Sequence, residues 1–271
     1  MLKFGLPFLP NGIAFTTIEL VDRFIVPAVL GKDALGLYAA NYKFGVVLLL
    51  LIVAFRNAWQ PFFLKIAHQE DARQVYSRVL TYFTIGGGLI VLSGTFFIRD
   101  LLTVHYLGRV YILGPHYWEG IPIIPLILLS YFFFGIYVIL TPGFYIKKKS
   151  QYMVLFTGAG ALINVAVNLW LLPVLGIMGA ALATLASYLT MAGTIFFFSH
   201  RIFPLRIEWS RVGQMLALIA LGMGLHYGWH PSLGIRIALM AGILLYCLLV
   251  VLRPEERQAA VAQWQRVKEF L

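Results

Sequence analysis

Long apolar runs fill most of the chain, and short polar stretches separate them. Each run is close to the ~20 residues that a helix needs to cross the hydrocarbon layer of a membrane. The runs do not alternate between polar and apolar positions, as the strands of a membrane barrel do. Because only helices or closed barrels satisfy the backbone in lipid, the pattern predicts an all-α, polytopic bundle. The roughly eight predicted spans are Gly5–Val29, Gly36–Trp59, Val79–Ile98, Ile121–Tyr145, Met153–Leu172, Leu175–Phe198, Met215–Trp229 and Leu233–Leu252.

The composition agrees with a membrane protein. The chain is 61% hydrophobic and 12% charged, whereas soluble domains are about 45–50% apolar and about 25% charged. The net charge of +10 lies in short loops between the spans, so membrane lipids are the expected partners and nucleic acid is not. The one cysteine, Cys247, has no second cysteine with which to form an intramolecular disulfide.

Every second loop is basic, which predicts that both termini are cytoplasmic. The tail after Pro254 has apolar residues at helical spacing between charges and is predicted to be a short amphipathic helix on the membrane surface. The basic loop residues are Lys65, Arg73, Arg78, Lys147, Lys148, Lys149, Arg201, Arg206 and Arg211, followed in the tail by Arg253, Arg257, Arg266 and Lys268. The apolar positions of the tail helix are Ala260, Val261, Trp264, Val267 and Leu271.

Charged residues also lie inside the first two spans. They are Glu19, Asp22, Arg23, Lys43 and Arg56. A charge in the hydrocarbon layer costs at least ~2.5–3.5 kcal/mol, so such residues normally face a partner or a water-filled cavity. The first hairpin is therefore the predicted functional centre, and it indicates transport rather than a soluble active site.

The spacing predicts ion pairs in this hairpin. If its turn is centred between Lys32 and Asp33, then Asp22 lies level with Lys43, and the two are expected to pair. Glu19 and Arg23 are four residues apart on one helix and can also pair. Two roles remain open: the pairs hold the helices in register, or the positive charges line a cavity for an anionic substrate, which suits the guanidinium fork of arginine.

The polar end of the second span is a second candidate site. Arg56 has no acidic neighbour in the sequence and stands close to Asn57 and Gln60, at the predicted cytoplasmic side. Either Arg56 extends to the membrane surface, or it takes part in substrate binding. In the first span, Pro10 is expected to kink the helix.

Other motifs indicate packing rather than chemistry. Asn164 and Asn168 are four residues apart and are expected to bond to a neighbouring helix, while small residues in the fifth and sixth spans favour close helix packing. His226 and His230 have no second ligand cluster beside them, and no catalytic motif or glycine-rich phosphate loop is present. We therefore expect no enzyme activity, no metal and no cofactor.

Three stretches resemble one protein family. The run ALINVAVNLWLLPVLGIMGAALATLASYL (Ala161–Leu189), the run VDRFIVPAVLGKDALGLYAANYKFG (Val21–Gly45) and the run AWQPFFLK (Ala58–Lys65) are similar to segments of polysaccharide flippases. These belong to the multidrug/oligosaccharidyl-lipid/polysaccharide exporter superfamily, whose members have two bundles of about six helices, often followed by two more helices.

The resemblance implies that this chain is the second lobe of a two-lobe transporter with two extra C-terminal helices. The implied units are 1–211 for the six-helix bundle, 212–252 for the two added helices and 253–271 for the cytoplasmic tail. The first lobe is missing from the sequence. The chain is thus expected to be a fragment, the product of a split gene, or a half that pairs with a second chain.

The resemblance also implies a function. A flippase of this kind exports undecaprenyl-diphosphate-linked sugar, the precursor of O-antigen or exopolysaccharide, across the bacterial inner membrane. It works by alternating access, driven by an ion gradient or the membrane potential. The implied cationic cavity for the diphosphate would use Arg23, Lys43 and Arg56, together with Asn57 and Gln60.

Three alternatives stay open. The first is a cation-coupled drug or small-solute antiporter of the same superfamily, in which Glu19 and Asp22 carry coupling protons. The second is a membrane glycosyl-lipid polymerase or ligase, although the predicted loop Arg99–Gly120 is short for the catalytic outer loop of such an enzyme. The third is a remnant that folds but transports nothing.

Overall fold

The computed structural model describes residues 8–104, 111–256 and 258 of the 271-residue chain. Within these ranges the secondary structure is helical, with no strand. The helices are α1 (Phe8–Leu20), α2 (Asp22–Leu30), α3 (Lys32–Ile66), α4 (Ala72–Thr103), a 3₁₀ helix (Pro115–Ile123), α5 (Ile124–Leu140), α6 (Pro142–Ile146), α7 (Gln151–Leu175), α8 (Ile177–Ile202), α9 (Trp209–Trp229) and α10 (Leu233–Tyr246), which ends in a π-helical turn (Cys247–Val251).

Six helical stretches of the described chain are long and apolar enough to cross a membrane. This confirms the all-α class for the described residues and agrees with the predicted membrane spans. The six are α3, α4, the stretch from Pro115 to Ile146, α7, α8, and α10 with its π-helical turn. The first predicted span is instead divided between α1 and α2, and α9 is not among the six, so a count of eight spans stays a prediction.

The stretch from Pro115 to Ile146 forms the centre of the bundle. It packs against α3, α4 and α8, and its large aromatic side chains, such as Tyr131 and Phe132, are fully buried. Glycines on the neighbouring helices allow close approach: a Cβ atom at Gly45 would lie 2.3 Å from Cγ2 of Ile127. The predicted small-residue packing also occurs between α7 and α8, where a Cβ atom at Gly179 would lie 2.5 Å from a backbone oxygen of α7.

The first predicted helix has a local irregularity at Val21, which separates α1 from α2. Val21 keeps helical φ and ψ angles, and it donates to the carbonyl oxygen of Thr17 and accepts from the N–H of Ile25. Pro10 lies near the start of the described part of α1. Because residues 1–7 lie outside the described residues, the expected kink at Pro10 stays a prediction. The hairpin turn comes at Gly31, whose φ of +91° belongs to the left-handed region that glycine adopts most readily.

The two arms of this hairpin diverge below the turn. The α2 helix packs against both α3 and α7, α1 packs against α7, and α3 continues along α5. One cleft lies between α2 and α3, and a second lies between α1 and α3. These two clefts hold the charged residues of the hairpin and are the feature of the fold that positions the candidate site.

The last two helices lie at the edge of the bundle. Both α9 and α10 pack against α4, and Gly222 of α9 makes room for Leu92, 2.4 Å from a Cβ atom placed there. Most of α10 is exposed and apolar, including Ile237 and Leu245, as expected for a helix facing lipid. The predicted tail helix, from Ala260 to Leu271, lies outside the described residues.

Candidate functional site

The carboxylate of Asp22 is buried at the junction of four helices. It is 2% exposed and accepts hydrogen bonds from the Tyr38 hydroxyl at 2.6 Å, from Nδ2 of Asn168 at 2.7 Å and from Oγ1 of Thr184 at 3.1 Å. These donors come from α3, α7 and α8. The prediction that the asparagine pair bonds to a neighbouring helix is confirmed for Asn168.

The carboxylate of Glu19 lies one turn away, at the end of α1. It accepts hydrogen bonds from the hydroxyl of Tyr188 on α8 and from the hydroxyl of Tyr131 on α5, the latter at 3.1 Å. The Tyr131 hydroxyl is also 2.7 Å from that of Tyr42 on α3. Two carboxylates and their hydroxyl and amide partners therefore form one polar cluster, which we call the carboxylate network (Glu19, Asp22, Tyr38, Tyr42, Tyr131, Asn168, Thr184, Tyr188).

The two predicted ion pairs are wrong. In the described part of the chain, ion pairs join Arg211 to Glu208 and Glu256, Arg253 to Glu208, and Arg236 to Asp100, and none involves Glu19 or Asp22. The Asp22 side chain points inward to α7 and α8, whereas Lys43 and Arg23 are exposed. Level depth in a hairpin does not decide on which side of each helix a residue lies.

The four charged residues nevertheless line one space. Arg23 and Lys43 border a cleft of about 390 Å³ between α2 and α3, together with Glu19 and Asp22. Its remaining lining is mostly apolar and aromatic, including Tyr38 and Tyr42. We call it the upper cleft. It presents two exposed cations to any solute and has the carboxylate network as its inner wall.

A second cleft, of about 180 Å³, lies between the diverging arms α1 and α3. Arg56 and Gln60 of α3 line it, opposite Asn11 of α1. The side-chain oxygen of Asn11 accepts a hydrogen bond of 2.7 Å from Thr157 on α7. We call this the lower cleft. Asn57, the other predicted member of the site, is exposed and is not among the residues that line either cleft.

The carboxylate network has unused polar capacity. Oδ1 of Asn168 and Nδ2 of Asn164 are buried and make no hydrogen bond, although Nδ2 of Asn168 donates to Asp22 and to Oδ1 of Asn164. Two carboxylates in a low-dielectric interior, without a cation within ion-pair distance, are costly unless a proton or a bound cation neutralises them. The carboxylate, amide and hydroxyl oxygens gathered here suit either a proton or a small hard cation. Among the described residues, no three His, Cys, Asp or Glu side chains are placed so that they could hold a metal ion together.

Sequence reasoning found the two carboxylates and missed the tyrosines that hold them. Tyr131 and Tyr188 stand in strongly apolar helices and are fully buried, so their sequence context is that of core aromatics. Buried tyrosine hydroxyls normally find a hydrogen-bond partner, and that rule could have indicated that these tyrosines have polar neighbours. It does not tell which acid each tyrosine meets.

Comparison with known proteins adds no family assignment: no protein-family model, curated protein or solved structure matches this chain.

Proposed function

We propose that this chain is one lobe of a transporter that moves lipid-linked oligosaccharide across the bacterial inner membrane by alternating access. The observation that carries the proposal is the pair of clefts along the first hairpin, whose linings include Arg23, Lys43 and Arg56 within an apolar helical bundle. Charges are expensive in this setting and normally mark a substrate path.

The chemistry of the clefts favours a diphosphate as the group that is recognised. Arg23 and Lys43 in the upper cleft and Arg56 in the lower cleft make no ion pair with any described residue, so their charges are available to an anion. Guanidinium groups bind phosphate oxygens through parallel hydrogen bonds. Asn11 and Gln60 offer hydrogen bonds to sugar hydroxyls in the lower cleft, and the lipid chain would remain against the apolar outer face.

The carboxylate network gives the proposed transporter a coupling site. Protonation or cation binding at Asp22 and Glu19 would neutralise both carboxylates, and release would leave two uncompensated charges beside the irregularity between α1 and α2. This irregularity is a natural place for the hairpin to bend, so occupancy of the network would bias the opening of the clefts. A second lobe, on another segment or another chain, would close the opposite wall.

A second candidate function rests on the same network. A cation-coupled drug or small-solute antiporter would use Glu19 and Asp22 in the same way, but would need no cations in the clefts. The two functions therefore differ in their dependence on Arg23, Lys43 and Arg56.

The test is flipping of undecaprenyl-diphosphate-linked oligosaccharide in proteoliposomes that contain the complete transport unit. We expect the triple variant Arg23→Gln, Lys43→Gln, Arg56→Gln to lower the initial rate at least about 100-fold, which corresponds to about 2.7 kcal/mol over three contacts. The matched control is Arg201→Gln, which removes a cation stacked over the ring of Phe197 outside both clefts.

An unchanged flipping rate in the triple variant would sink the diphosphate proposal. Cation-driven export of a dye by that same variant, lost on Asp22→Asn, would favour the antiporter instead. Equal thermal unfolding midpoints for the variant and its control exclude a folding defect as the cause of a lost rate.

A further inference from the structure

A third cleft lies at the end of the bundle that holds the connections between α3 and α4 and between α8 and α9. Its volume is about 820 Å³, larger than either cleft of the hairpin. The start of α4 contacts the connection between α8 and α9, since the ring of Tyr76 packs on that of Phe203 with their centroids 6.1 Å apart. The residues that line the cleft are Glu70, Asp71, Arg73, Gln74, Ser77, Arg78, Pro204, Leu205, Arg206, Glu208 and Arg253.

Three of its arginines are available to a ligand. Arg73, Arg78 and Arg206 are exposed, and none has a carboxylate partner within ion-pair distance in the described ranges. The guanidinium of Arg73 is stacked 4.8 Å above the ring of Phe203, and the Ser77 hydroxyl donates a hydrogen bond to the carbonyl oxygen of Arg206. These contacts hold two of the three cationic residues in place at the cleft.

Two helices begin at this cleft. The first turn of α4 contributes Arg73 and Gln74 to its lining, and Glu208 immediately precedes α9. Each helix N-terminus carries about half a positive charge. Most of the first-turn N–H groups are already engaged: in α4 they donate to the carbonyl oxygens of Gln69 and Asp71, and in α9 to those of Ile207 and Glu208. The positive helix ends therefore attract an anion such as a phosphate through their charge, while the arginine side chains supply the hydrogen bonds.

The cleft also contains carboxylates, and they divide into two kinds. Glu208 is neutralised, because it is ion-paired to Arg211 at 2.9 Å and to Arg253 at 2.5 Å. Glu70 and Asp71 are exposed and make no ion pair in the described part of the chain. The available groups are thus three arginines and two acids. A ligand that carries both a phosphate and a positive amine would pair with the arginines and with the acids.

The expected position of the cleft relative to the membrane indicates the source of such a ligand. Trp209, the first residue of α9, is 60% exposed, and its ring packs edge-on against Phe196 at 5.4 Å. If α9 crosses the membrane, as the sequence predicts, an exposed tryptophan at its end is expected at headgroup level. Basic pockets between transmembrane helices at this level bind lipid headgroups.

We propose that this cleft is a lipid site that holds a phosphoethanolamine headgroup, with the phosphate at Arg73, Arg78 and Arg206 and the ammonium at Glu70 and Asp71. The site is separate from the hairpin clefts, and its occupancy does not depend on the transported substrate. Its lining comes from two connections of the bundle, so a bound headgroup would hold the α3–α4 and α8–α9 corners together.

Native mass spectrometry of the purified, delipidated protein in detergent tests the proposal. Phosphatidylethanolamine, phosphatidylglycerol and phosphatidylcholine with identical acyl chains are added in turn, and the occupancy of the first bound lipid is measured. We expect phosphatidylethanolamine to bind at least about tenfold more tightly than either of the others, a difference of about 1.4 kcal/mol. Phosphatidylcholine has the phosphate and a positive quaternary ammonium, but this ammonium has no N–H donors. Phosphatidylglycerol has the phosphate but no amine.

Paired variants separate the two halves of the site. Arg78→Gln with Arg206→Gln is expected to remove the tight binding of phosphatidylethanolamine. Glu70→Gln with Asp71→Asn is expected to remove the preference over phosphatidylglycerol while binding of both lipids persists. Arg201→Gln, which lies outside the cleft, is the control and is expected to behave as the parent protein does.

Three results would overturn the proposal. The first is equal or tighter binding of phosphatidylglycerol to the parent protein, and the second is unchanged binding in the arginine variant. The third is protection from thermal unfolding by soluble phosphorylethanolamine or inorganic phosphate without any binding of the lipid. Because all variants change exposed side chains, equal unfolding midpoints without lipid are expected and are checked first.

Discussion

Two groups of charges lie in this bundle, and they are stabilised in opposite ways. Around Arg211 every carboxylate meets a cation: its guanidinium binds Glu256 at 2.6 Å and Glu208 at 2.9 Å, and its Nε donates to the carbonyl oxygen of Val251. In the carboxylate network Glu19 and Asp22 meet hydroxyl and amide groups instead, and no ion pair involves them in the described ranges.

Under the proposed function, the difference separates charges that only stabilise the fold from charges that take part in transport. A charge cluster with complete internal compensation has no need of an external ion and fixes the elements that carry it, here α9 and the segment after α10. An uncompensated carboxylate pair must gain and lose a proton or cation as its surroundings change. The two clusters are therefore expected to respond to substitution in different observables, one in stability and the other in transport.

The largest effect is expected at Arg211. Its replacement by methionine leaves Glu208 and Glu256 without this partner and should lower the free energy of unfolding by about 3 kcal/mol, as for other broken buried pairs. Transport per folded molecule should stay within about twofold of the parent, because Arg211 lies outside the hairpin clefts. Chemical denaturation in detergent and flipping in proteoliposomes measure the two quantities.

A double variant is the control for this result. Arg211→Met with Glu256→Gln removes the charge that the first change left unpaired, so part of the lost stability should return. If the double variant is no more stable than Arg211→Met alone, the ion pair does not account for the loss.

The next effect is expected at Asp22. Asp22→Asn keeps the size of the side chain and much of its hydrogen bonding to Tyr38, Asn168 and Thr184. The amide is always neutral, however, so it can no longer bind and release a proton or a cation. We expect the flipping rate to fall about 30-fold, or about 2 kcal/mol, with little change in the unfolding midpoint. Loss of the folded protein with normal transport in the remainder would reverse the assignment of the two clusters.

The sequence predicted which residues form the site better than it predicted which of them contact each other. The apolar run lengths predicted the membrane helices, and charges at positions 19, 22, 23, 43 and 56 predicted a polar hairpin, because both follow from local composition. The partners of Asp22 come from three other helices and depend on how each helix is rotated about its axis. That rotation is decided by packing, such as the contact of Gly45 with Ile127. The irregularity between α1 and α2 falls at Val21, where no proline or glycine in the sequence would predict it.

A smaller effect separates Arg56 from its neighbour Asn57. Arg56 lines the lower cleft and Asn57 does not, although sequence analysis placed both in the site. Arg56→Gln should lower the flipping rate about tenfold, the equivalent of about 1.4 kcal/mol, because one charged contact to phosphate is lost. Asn57→Ala should leave the rate unchanged. Equal losses in both variants would indicate that the polar end of α3 acts only through its position at the membrane surface.

The smallest effect is expected from titration of Glu256. Burial raises the pKa of its carboxyl group, but hydrogen bonds from Arg211, from the backbone N–H of Arg253 and from the Tyr82 hydroxyl outweigh burial, so the pKa lies below its ordinary value. A carboxyl group with a lowered pKa stabilises the folded state above its unfolded pKa of about 4.3. That contribution is lost as the pH falls through the lower, folded value.

The unfolding midpoint should therefore drop less between pH 6 and pH 3 in Glu256→Gln than in the parent protein. The difference between the two curves isolates Glu256 from the other carboxyl groups, including Glu19 and Asp22, which titrate in both. Parallel curves would show that the cations around Glu256 do not favour its charged form, and the contrast between the two clusters would then rest on geometry alone. A flattened curve in Arg211→Met as well would identify that guanidinium as the partner, since removing either member of the pair abolishes the same linkage.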